Sequence, residues 1–290
     1  MGKVYDGIMG LVVGDALGVP VEFEERDTFK IEDMNGYGTY RQLPGTWSDD
    51  SSMTLATLES ITRLGCIDLE DIMRNFYSWI YDSKFTPYGT VFDYGITTYE
   101  AILRYAKGES VQNCGGKSIM DNGNGALMRI LPLTFIPHTQ EDIDAVSALT
   151  HAHDISKLGC RLYITVAECI LNQKPFSSLK EIWVKEYHRI KEIEILKREE
   201  IKSSGYIVDT LEAAIWCLYT TDNYSDCVLK AVNLGKDTDT IAAVAGGLAG
   251  LLYGCGGKKG IPDKWIKQIA KKDFIKELCQ KAEYQFHFEK

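Results

Sequence analysis

The 290-residue sequence predicts an all-α protein that folds as one domain. Alternation of apolar and polar residues with a period of two, which is typical of a half-buried strand, is nearly absent. Apolar residues recur instead at helical spacing along most of the chain, as at Ile72, Phe76 and Ile80. No low-complexity linker divides the chain, so we expect residues 1–290 to form a single domain in which the N- and C-terminal motifs meet.

The composition argues against several classes of function. Hydrophobic residues make up 45% and charged residues 25% of the chain, as in a globular protein with a substantial core. The formal net charge is −9 with no basic stripe to offset it, which argues against nucleic acid as a partner. The eight cysteines include no C-x-x-C pair, as expected for buried thiols in a reducing compartment. Asp15 interrupts the apolar stretch 8–19 and no cleavage site follows, so we expect a cytoplasmic protein with no membrane partner.

The first predicted helix is Lys3–Gly18, in which Gly10, Gly14 and Gly18 fall four residues apart. Glycines at this spacing form one small-residue face that lets another backbone approach closely. Pro20 should end this helix. Glu22 follows at its exit and, taken alone, is better explained as a solvated loop acid.

The segment 233–254 repeats this pattern near the C-terminus. Small residues again fall four apart, and no charge occurs from Ile241 to Tyr253. The run is too short to span a membrane, so it predicts a buried helix that packs against the first. Asp237, Thr238, Asp239 and Thr240 open this helix, although capping requires a single oxygen-bearing side chain. Surplus buried carboxylates are costly unless a cation neutralises them, and oxygen ligands favour a hard metal ion.

A matching cluster, Ser48–Ser51, begins another helical pattern that continues to Leu64. Taken alone, it is best explained as a well-capped helix with Ser48 as the N-cap. The presence of two buried helices that each begin with paired aspartates and hydroxyls favours a metal site over simple capping. Two magnesium or manganese ions between the two helix starts would explain both clusters, because four aspartates and Glu22 supply five negative charges against four positive ones.

The middle of the chain carries weaker signals. The aromatic-rich segment 85–94 predicts a loop in which Asp93 is either a simple first-turn acid or part of a pocket that stacks a base or sugar. Thr97 or Thr98 should then cap a helix. The Asn-Gly-Asn-Gly segment 122–125 precedes an apolar helical run and predicts either an anion cradle or a plain turn. The lone His151 is more often structural than catalytic. Further helices are predicted at 71–81, 157–171, 185–202 (solvated), 208–219, 262–271 and 274–286.

Taken together, these motifs resemble the ADP-ribosylglycohydrolase family. In family order they are GDALGVPVEF (14–23), WSDDS (47–51), FDYG (92–95), NGNGALMR (122–129), TH (150–151), GYIVDTLEAA (205–214) and GKDTDTIA (235–242). The resemblance runs from Asp6 to about Gly254 and is strongest to the bacterial branch that acts on ADP-ribosylated dinitrogenase reductase. It implies an all-α orthogonal helical domain that binds two magnesium or manganese ions.

The resemblance also implies roles for individual residues. The implied metal ligands are Ser48, Asp49, Asp50, Asp237, Asp239 and Thr240. The implied catalytic residues are Glu22, which gates or assists at the metal site, and Asp93, which acts on the ribose. The implied substrate-binding residues are Asn122, Gly123, Asn124, Gly125 and His151 around the diphosphate and ribose, and Tyr206 beside the adenine.

The sequence departs from the family pattern in three places. Ser48 and Ser51 replace the usual threonines and keep the hydroxyl ligand. Tyr94 replaces an aliphatic residue beside Asp93, which would reshape the leaving-group pocket. Lys236 places a positive charge near the expected cations, which would weaken metal affinity.

We therefore expect a metal-dependent hydrolase that removes ADP-ribose from protein side chains, above all by cleaving the N-glycosyl bond of ADP-ribosyl-arginine. Its partners would be an ADP-ribosylated protein and the product ADP-ribose. The alternatives are a catalytically weak ADP-ribose-binding protein, a two-metal hydrolase of another ADP-ribose derivative, and a phosphohydrolase. All four aspartates are retained, which argues against an inactive member.

Overall fold

Helices account for the regular secondary structure of the computed structural model, which describes residues 2–174 and 185–287. In chain order the α-helices are α1 (Lys3–Gly18), α2 (Asp49–Leu64), α3 (Leu69–Asp82), α4 (Ile96–Ala106), α5 (Val111–Cys114), α6 (Gln140–Ala148), α7 (Asp154–Leu171), α8 (Ile207–Tyr219), α9 (Tyr224–Val232), α10 (Thr238–Tyr253), α11 (Asp263–Gln268) and α12 (Lys272–Gln285). The described residues form isolated β-bridges but no strand, which confirms the all-α class.

Helices α1 and α10 cross at the centre of the protein with their backbones in direct contact. A side chain at Gly14 would collide with the carbonyl oxygen of Ala242, and one at Gly10 would meet the backbone of Gly246 and Gly250. The Tyr224 hydroxyl donates a hydrogen bond of 2.6 Å to the carbonyl oxygen of Gly10 and fixes α9 against this crossing. The prediction that two small-residue faces pack together is confirmed.

Helix α1 is a core helix. The stretch Lys3–Val21 is long and apolar enough to cross a membrane by length and composition alone. However, 94% of its apolar window is buried inside the protein. It ends at Gly18 as predicted, and Pro20 lies in the 3-10 helix Val19–Val21 that follows. This turn directs Glu22 toward the start of α10.

Two predicted α-helices are instead 3-10 helices. The predicted helix 185–202 consists of the segments Lys185–Glu192 and Arg198–Glu200. The backbone at Tyr187 is non-helical, which interrupts the first segment. The prediction of a solvated helix is also wrong, because Tyr187, Ile190, Ile193 and Ile201 are buried. Similarly, the apolar run after the Asn-Gly loop forms 3-10 helices at Asn124–Arg129 and Leu131–Phe135. Pro132 disfavours the α conformation of the residue before it.

The predicted start of α4 is also wrong. The helix begins at Ile96 with Gly95 as its N-cap, so neither Thr97 nor Thr98 is the cap. Thr98 lies within the first turn, and its side chain is buried. Its hydroxyl has no hydrogen-bond partner among the described residues and lines the cavity described below.

We predict that Gly14→Ala destabilises the protein by about 2 kcal/mol, because the added methyl group must separate α1 from α10. The measurement is urea-induced unfolding followed by circular dichroism. Gly95→Ala is the matched control, since the nearest atom to its added methyl group is 3.9 Å away and its φ is −72°. An unfolding midpoint for Gly14→Ala equal to that of the control would contradict this account of the crossing.

Candidate metal and substrate site

The site lies where the exit of α1 meets the N-terminal ends of α2 and α10. The Thr238 hydroxyl donates a hydrogen bond of 2.9 Å to the carbonyl oxygen of Gly18, which joins the end of α1 to the start of α10. A side chain at Gly18 would collide with the backbone of Asp239. The two aspartate clusters therefore meet at one place, as the sequence predicts.

The carboxylates form two overlapping groups. Oxygens of Asp15, Asp50 and Asp239 lie within 4.8 Å of one another, as do oxygens of Glu22, Asp237 and Asp239. Asp239 belongs to both groups. One oxygen each of Asp50 and Glu22 is buried and has no hydrogen-bond partner among the described residues. Two such groups with a shared member and unpartnered oxygens fit two adjacent hard cations.

The raised pKa values of these acids also favour a cation at this place. Burial, and then the neighbouring acids, raise the pKa of Asp49, Asp50 and Asp239 well above the usual range. Burial, and then Asp93, raise the pKa of Glu22 to about 8. Ionised carboxylates this close repel one another, so a cation between them would stabilise their charged forms.

Asp15 is a site residue that the sequence analysis missed. Its carboxylate accepts hydrogen bonds from the backbone N–H groups of Ser48 and Ser51, both at 3.0 Å, and from the Ser51 hydroxyl at 2.5 Å. Ser48 occupies the N-cap position, but its side chain makes no capping bond. The prediction that Ser48 is the N-cap of α2 is therefore confirmed, but Asp15 of α1, and not the Ser48 side chain, accepts the N–H hydrogen bonds at this helix start. A carboxylate within the apolar stretch 8–19 of a buried helix is the signal that could have found it.

A cavity of about 300 Å³ opens beside the acids. The predicted site residues that line it are Glu22, Asp49, Asp93, Gly123, Asn124, Gly125, His151, Asp237 and Thr240. Asp50 and Asp239 are fully buried beneath it. Ser48 is buried next to them, and its hydroxyl lies 3.4 Å from a carboxylate oxygen of Asp50. The structure thus brings most of the predicted residues together.

Asn122 and Tyr206 are placed differently from the rest. The Asn122 side chain is buried, donates to the carbonyl oxygen of Ile119 and accepts from the Ser156 hydroxyl. It therefore anchors the loop to α7 and does not line the cavity, contrary to the expected contact with substrate. Tyr206 is exposed beside Gly205, which does line the cavity, and forms a β-bridge with Gly123.

Asn124 connects the glycine loop to the carboxylates. Its amide nitrogen donates to Asp237 at 2.7 Å and to the Thr210 hydroxyl at 2.9 Å. Its backbone N–H donates to the carbonyl oxygen of Gly205. The loop 122–125 is therefore fixed relative to the start of α10.

A chain of hydrogen bonds determines which nitrogen of His151 carries its proton. Buried Arg129 donates to the Thr150 hydroxyl oxygen at 2.8 Å, and this hydroxyl lies 2.8 Å from His151 Nδ1. A guanidinium can only donate, and the described residues offer the hydroxyl proton no acceptor besides Nδ1, so we assign this proton to the bond with Nδ1. Nε2 then carries the ring hydrogen. Burial, and then the charge of Arg129, lower the pKa of His151 to about 3, so the ring stays neutral.

Thr98 is a second cavity residue that the sequence analysis did not assign to the site. Its buried hydroxyl lines the cavity and has no hydrogen-bond partner among the described residues. A side chain at Gly125 would come within 2.8 Å of both this hydroxyl and the His151 ring. A hydroxyl and a neutral ring N–H thus lie on either side of Gly125, ready to donate to an anionic ligand.

Lys236 does not point into the site. Its side chain is exposed, and Nζ lies 3.7 Å from a carboxylate oxygen of Glu25. Its backbone N–H donates to Glu24, and its carbonyl oxygen accepts from Phe23, both at 2.7 Å. The expected weakening of metal affinity therefore has no basis in the structure.

Arg26 connects three chain segments next to the site. Its guanidinium donates to the carbonyl oxygens of Leu234, Arg198 and Ile201 at 2.7 to 2.8 Å. These carbonyls belong to the segments that precede Asp237 and Tyr206. The segment that follows Glu22 is thereby fixed to both.

A larger groove of about 760 Å³ between α2 and α12 has no comparable chemistry. Its charged residues include the ion pairs Arg63–Glu59 and Lys281–Glu277, at 2.9 and 2.8 Å. None of the acids that line it is buried. We place the site in the smaller cavity because the buried acids lie there.

We predict that Thr150→Val removes the preference for the Nε2–H form of His151, because valine cannot donate to Nδ1. In the wild type, ¹⁵N NMR should show an unprotonated Nδ1 whose signal does not titrate between pH 5 and about 8. Thr150→Ser keeps the hydroxyl and should retain the wild-type spectrum. A protonated Nδ1 in the wild type would contradict the hydrogen-bond assignment.

The chain was compared with known proteins. The family model described as ADP-ribosylglycohydrolase matches residues 1–288. An ADP-ribosylarginine hydrolase, Tri1, from Serratia proteamaculans is 33% identical over 97% of this chain and 79% of its own length. An ADP-ribosyl-[dinitrogen reductase] glycohydrolase from Rhodospirillum rubrum is 31% identical over 92% of this chain and 90% of its own. A solved structure, an ADP-ribosylglycohydrolase-related protein complex, superposes with a TM-score of 0.83 at 28% identity over 98% of both chains.

Proposed function

Because the chain belongs to the ADP-ribosylglycohydrolase family, we propose that it hydrolyses the N-glycosyl bond between ADP-ribose and protein arginine side chains. The observation that carries this proposal is the junction of two buried aspartate clusters beside a cavity that also contains Asp93. Relatives named as ADP-ribosylarginine hydrolases cover nearly the whole chain and support the arginine linkage. ADP-ribosylated protein would be the substrate and ADP-ribose a product.

We propose that two divalent cations, Mg²⁺ or Mn²⁺, belong to this site. The proposed ligands are Ser48, Asp49, Asp50, Asp237, Asp239 and Thr240, with Glu22 next to them. The donor set consists of oxygens alone, which favours these ions over zinc or copper. When bound, such ions stabilise developing negative charge and activate water.

Glu22 and Asp93 are the proposed catalytic acids. Both line the cavity, and without bound cations burial, and then Asp93, raise the pKa of Glu22 to about 8. The Tyr40 hydroxyl hydrogen-bonds to the pair and partly offsets this rise. One acid can donate a proton to the departing guanidine nitrogen while the other receives one from the attacking water. Asp93, beside Phe92 and Tyr94, is suited to pair with the planar cationic guanidinium.

The opposite wall would hold the rest of ADP-ribose. The Nε2–H of His151 and the Thr98 hydroxyl would donate to the diphosphate, and Gly123 and Gly125 let it approach the backbone. Asn124 would fix this loop to Asp237. Tyr206 would stack on the adenine, and Asn122 would support the loop from behind. The neutral imidazole can donate without changing its protonation state.

The remaining sequence expectations stay proposals. We propose that residues 1–290 form a single domain, since the buried apolar side chains of the described residues form one cluster. The net charge of −9 supports a protein that does not bind nucleic acid. We further propose that it acts in the cytoplasm without a membrane partner.

We predict that the wild type binds two Mn²⁺ ions, Asp50→Asn binds one and Asp239→Asn binds none, because Asp239 alone belongs to both carboxylate groups. Isothermal titration calorimetry of chelator-treated protein gives the stoichiometries. The chelated wild type should lose activity and regain it with Mg²⁺ or Mn²⁺. Asp154→Asn, on an exposed aspartate, is the control. Wild-type stoichiometry in Asp239→Asn, or full turnover in excess chelator, would refute the two-cation proposal.

We predict that Asp93→Asn lowers kcat on ADP-ribosyl-arginine by about 100-fold while ADP-ribose binding changes little, because the amide keeps the shape but cannot transfer a proton. ADP-ribosyl-serine, whose leaving group is neutral, should be a poorer wild-type substrate. The measurements are kcat and KM for both linkages and calorimetric binding of ADP-ribose. Tight ADP-ribose binding without turnover by the wild type would favour the binding-protein alternative, and unchanged kcat in Asp93→Asn would remove its catalytic role.

A further inference from the structure

Three large apolar side chains at the mouth of the cavity are exposed to solvent. Phe23, Ile96 and Tyr94 are 68%, 78% and 47% exposed. All three line the same cavity as Glu22 and Asp93. Apolar side chains grouped around a polar cavity are typical of an interaction surface. We call these three residues the apolar lip.

The backbone of Phe23 adds an independent observation. Its φ is +68°, a region that a bulky residue rarely adopts. A hydrogen bond of 2.7 Å from its N–H to the carbonyl oxygen of Lys236 holds this conformation. The ring contacts Tyr40 edge-on, with 6.5 Å between the ring centroids, and is otherwise largely exposed. Strain of this kind is concentrated at functional positions.

The position of the apolar lip defines what it can contact. Phe23 directly follows Glu22, while Tyr94 and Ile96 follow Asp93 by one and three residues. The lip therefore adjoins the acids at the leaving-group end of the proposed reaction, whereas His151 and the glycine loop form another part of the wall. An arginine side chain is only a few bonds long. When its guanidinium lies beside Asp93, its polypeptide backbone must lie at this mouth.

We propose that the apolar lip binds apolar residues that flank the modified arginine of the substrate polypeptide. This inference rests on the proposed arginine hydrolase function and adds a sequence preference to it. The lip gives the enzyme a preference between ADP-ribosylated arginines that the recognition of ADP-ribose alone cannot provide. Its contribution is absent when the substrate is a free amino acid.

The experiment compares three substrates: free ADP-ribosyl-arginine, a pentapeptide with leucine on both sides of the modified arginine, and the same peptide with glycine there. The wild type should cleave the leucine peptide with a kcat/KM about tenfold above that of the glycine peptide, as expected for one buried apolar side chain. Ile96→Ser should remove this ratio, and Ile96→Leu should keep it. Ile96 is the exposed first residue of α4, so serine is tolerated there.

Ile195→Ser is the matched control, because Ile195 is 74% exposed and does not line the cavity. It should retain the wild-type ratio. Equal cleavage of both peptides by the wild type, or an unchanged ratio in Ile96→Ser, would overturn the inference while the hydrolase function stands. Dissociation of a wild-type dimer by Ile96→Ser, measured by sedimentation with the ratio unchanged, would instead assign the lip to a second copy. Failure of the wild type to cleave any of the three would overturn the hydrolase function and the inference with it.

Discussion

The backbone contact between α1 and α10 is the constraint on which the rest of the structure depends. Glycines at the crossing let the two helices approach until the carbonyl oxygens of one lie against the other. At that distance the exit of α1 and the start of α10 become neighbours, and Gly18 lies against Asp239. Glu22 and the Asp237–Thr240 cluster are therefore adjacent as a consequence of packing. Bulkier residues at the crossing would separate Glu22 from the Asp237–Thr240 cluster without replacing any residue of either.

The second constraint is the repulsion between the buried carboxylates, which the fold partly offsets without metal. The N-terminal ends of α2 and α10 carry partial positive charge, which favours the carboxylates placed there. Asp15 accepts hydrogen bonds from Ser48 and Ser51 and so ties α1 to the start of α2. One oxygen each of Asp50 and Glu22 is buried without a hydrogen-bond partner among the described residues, so the protein leaves part of this negative charge uncompensated. Under the proposed function hard cations would complete this compensation, so metal binding and local stability would be coupled.

Much of this architecture is predictable from the sequence, and the failures have identifiable causes. The bounds of α1 and the start of α10 follow from glycine spacing and clustered oxygens, which are local signals. The capping of α2 by Asp15 is not predictable locally, because the donor and acceptor lie on different helices. The segment 185–202 was predicted as a solvated α-helix from its mixed charges, and that signal does not distinguish an α-helix from 3-10 turns that bury Tyr187 and Ile190. The direction of the Lys236 side chain depends on its positive φ and on pairing with 23–24, which no motif encodes.

The contacts of Arg26 have a consequence for how the site can vary. Three of its acceptors, in Leu234, Arg198 and Ile201, are main-chain carbonyl oxygens, which every amino acid possesses. The side chains at these three positions can therefore be exchanged without loss of these bonds. Lysine could not replace the arginine, because a single ammonium cannot span acceptors from two separate segments with the same planar geometry. The protein thus requires arginine at position 26, whereas these hydrogen bonds place no restriction on the side chains at the acceptor positions.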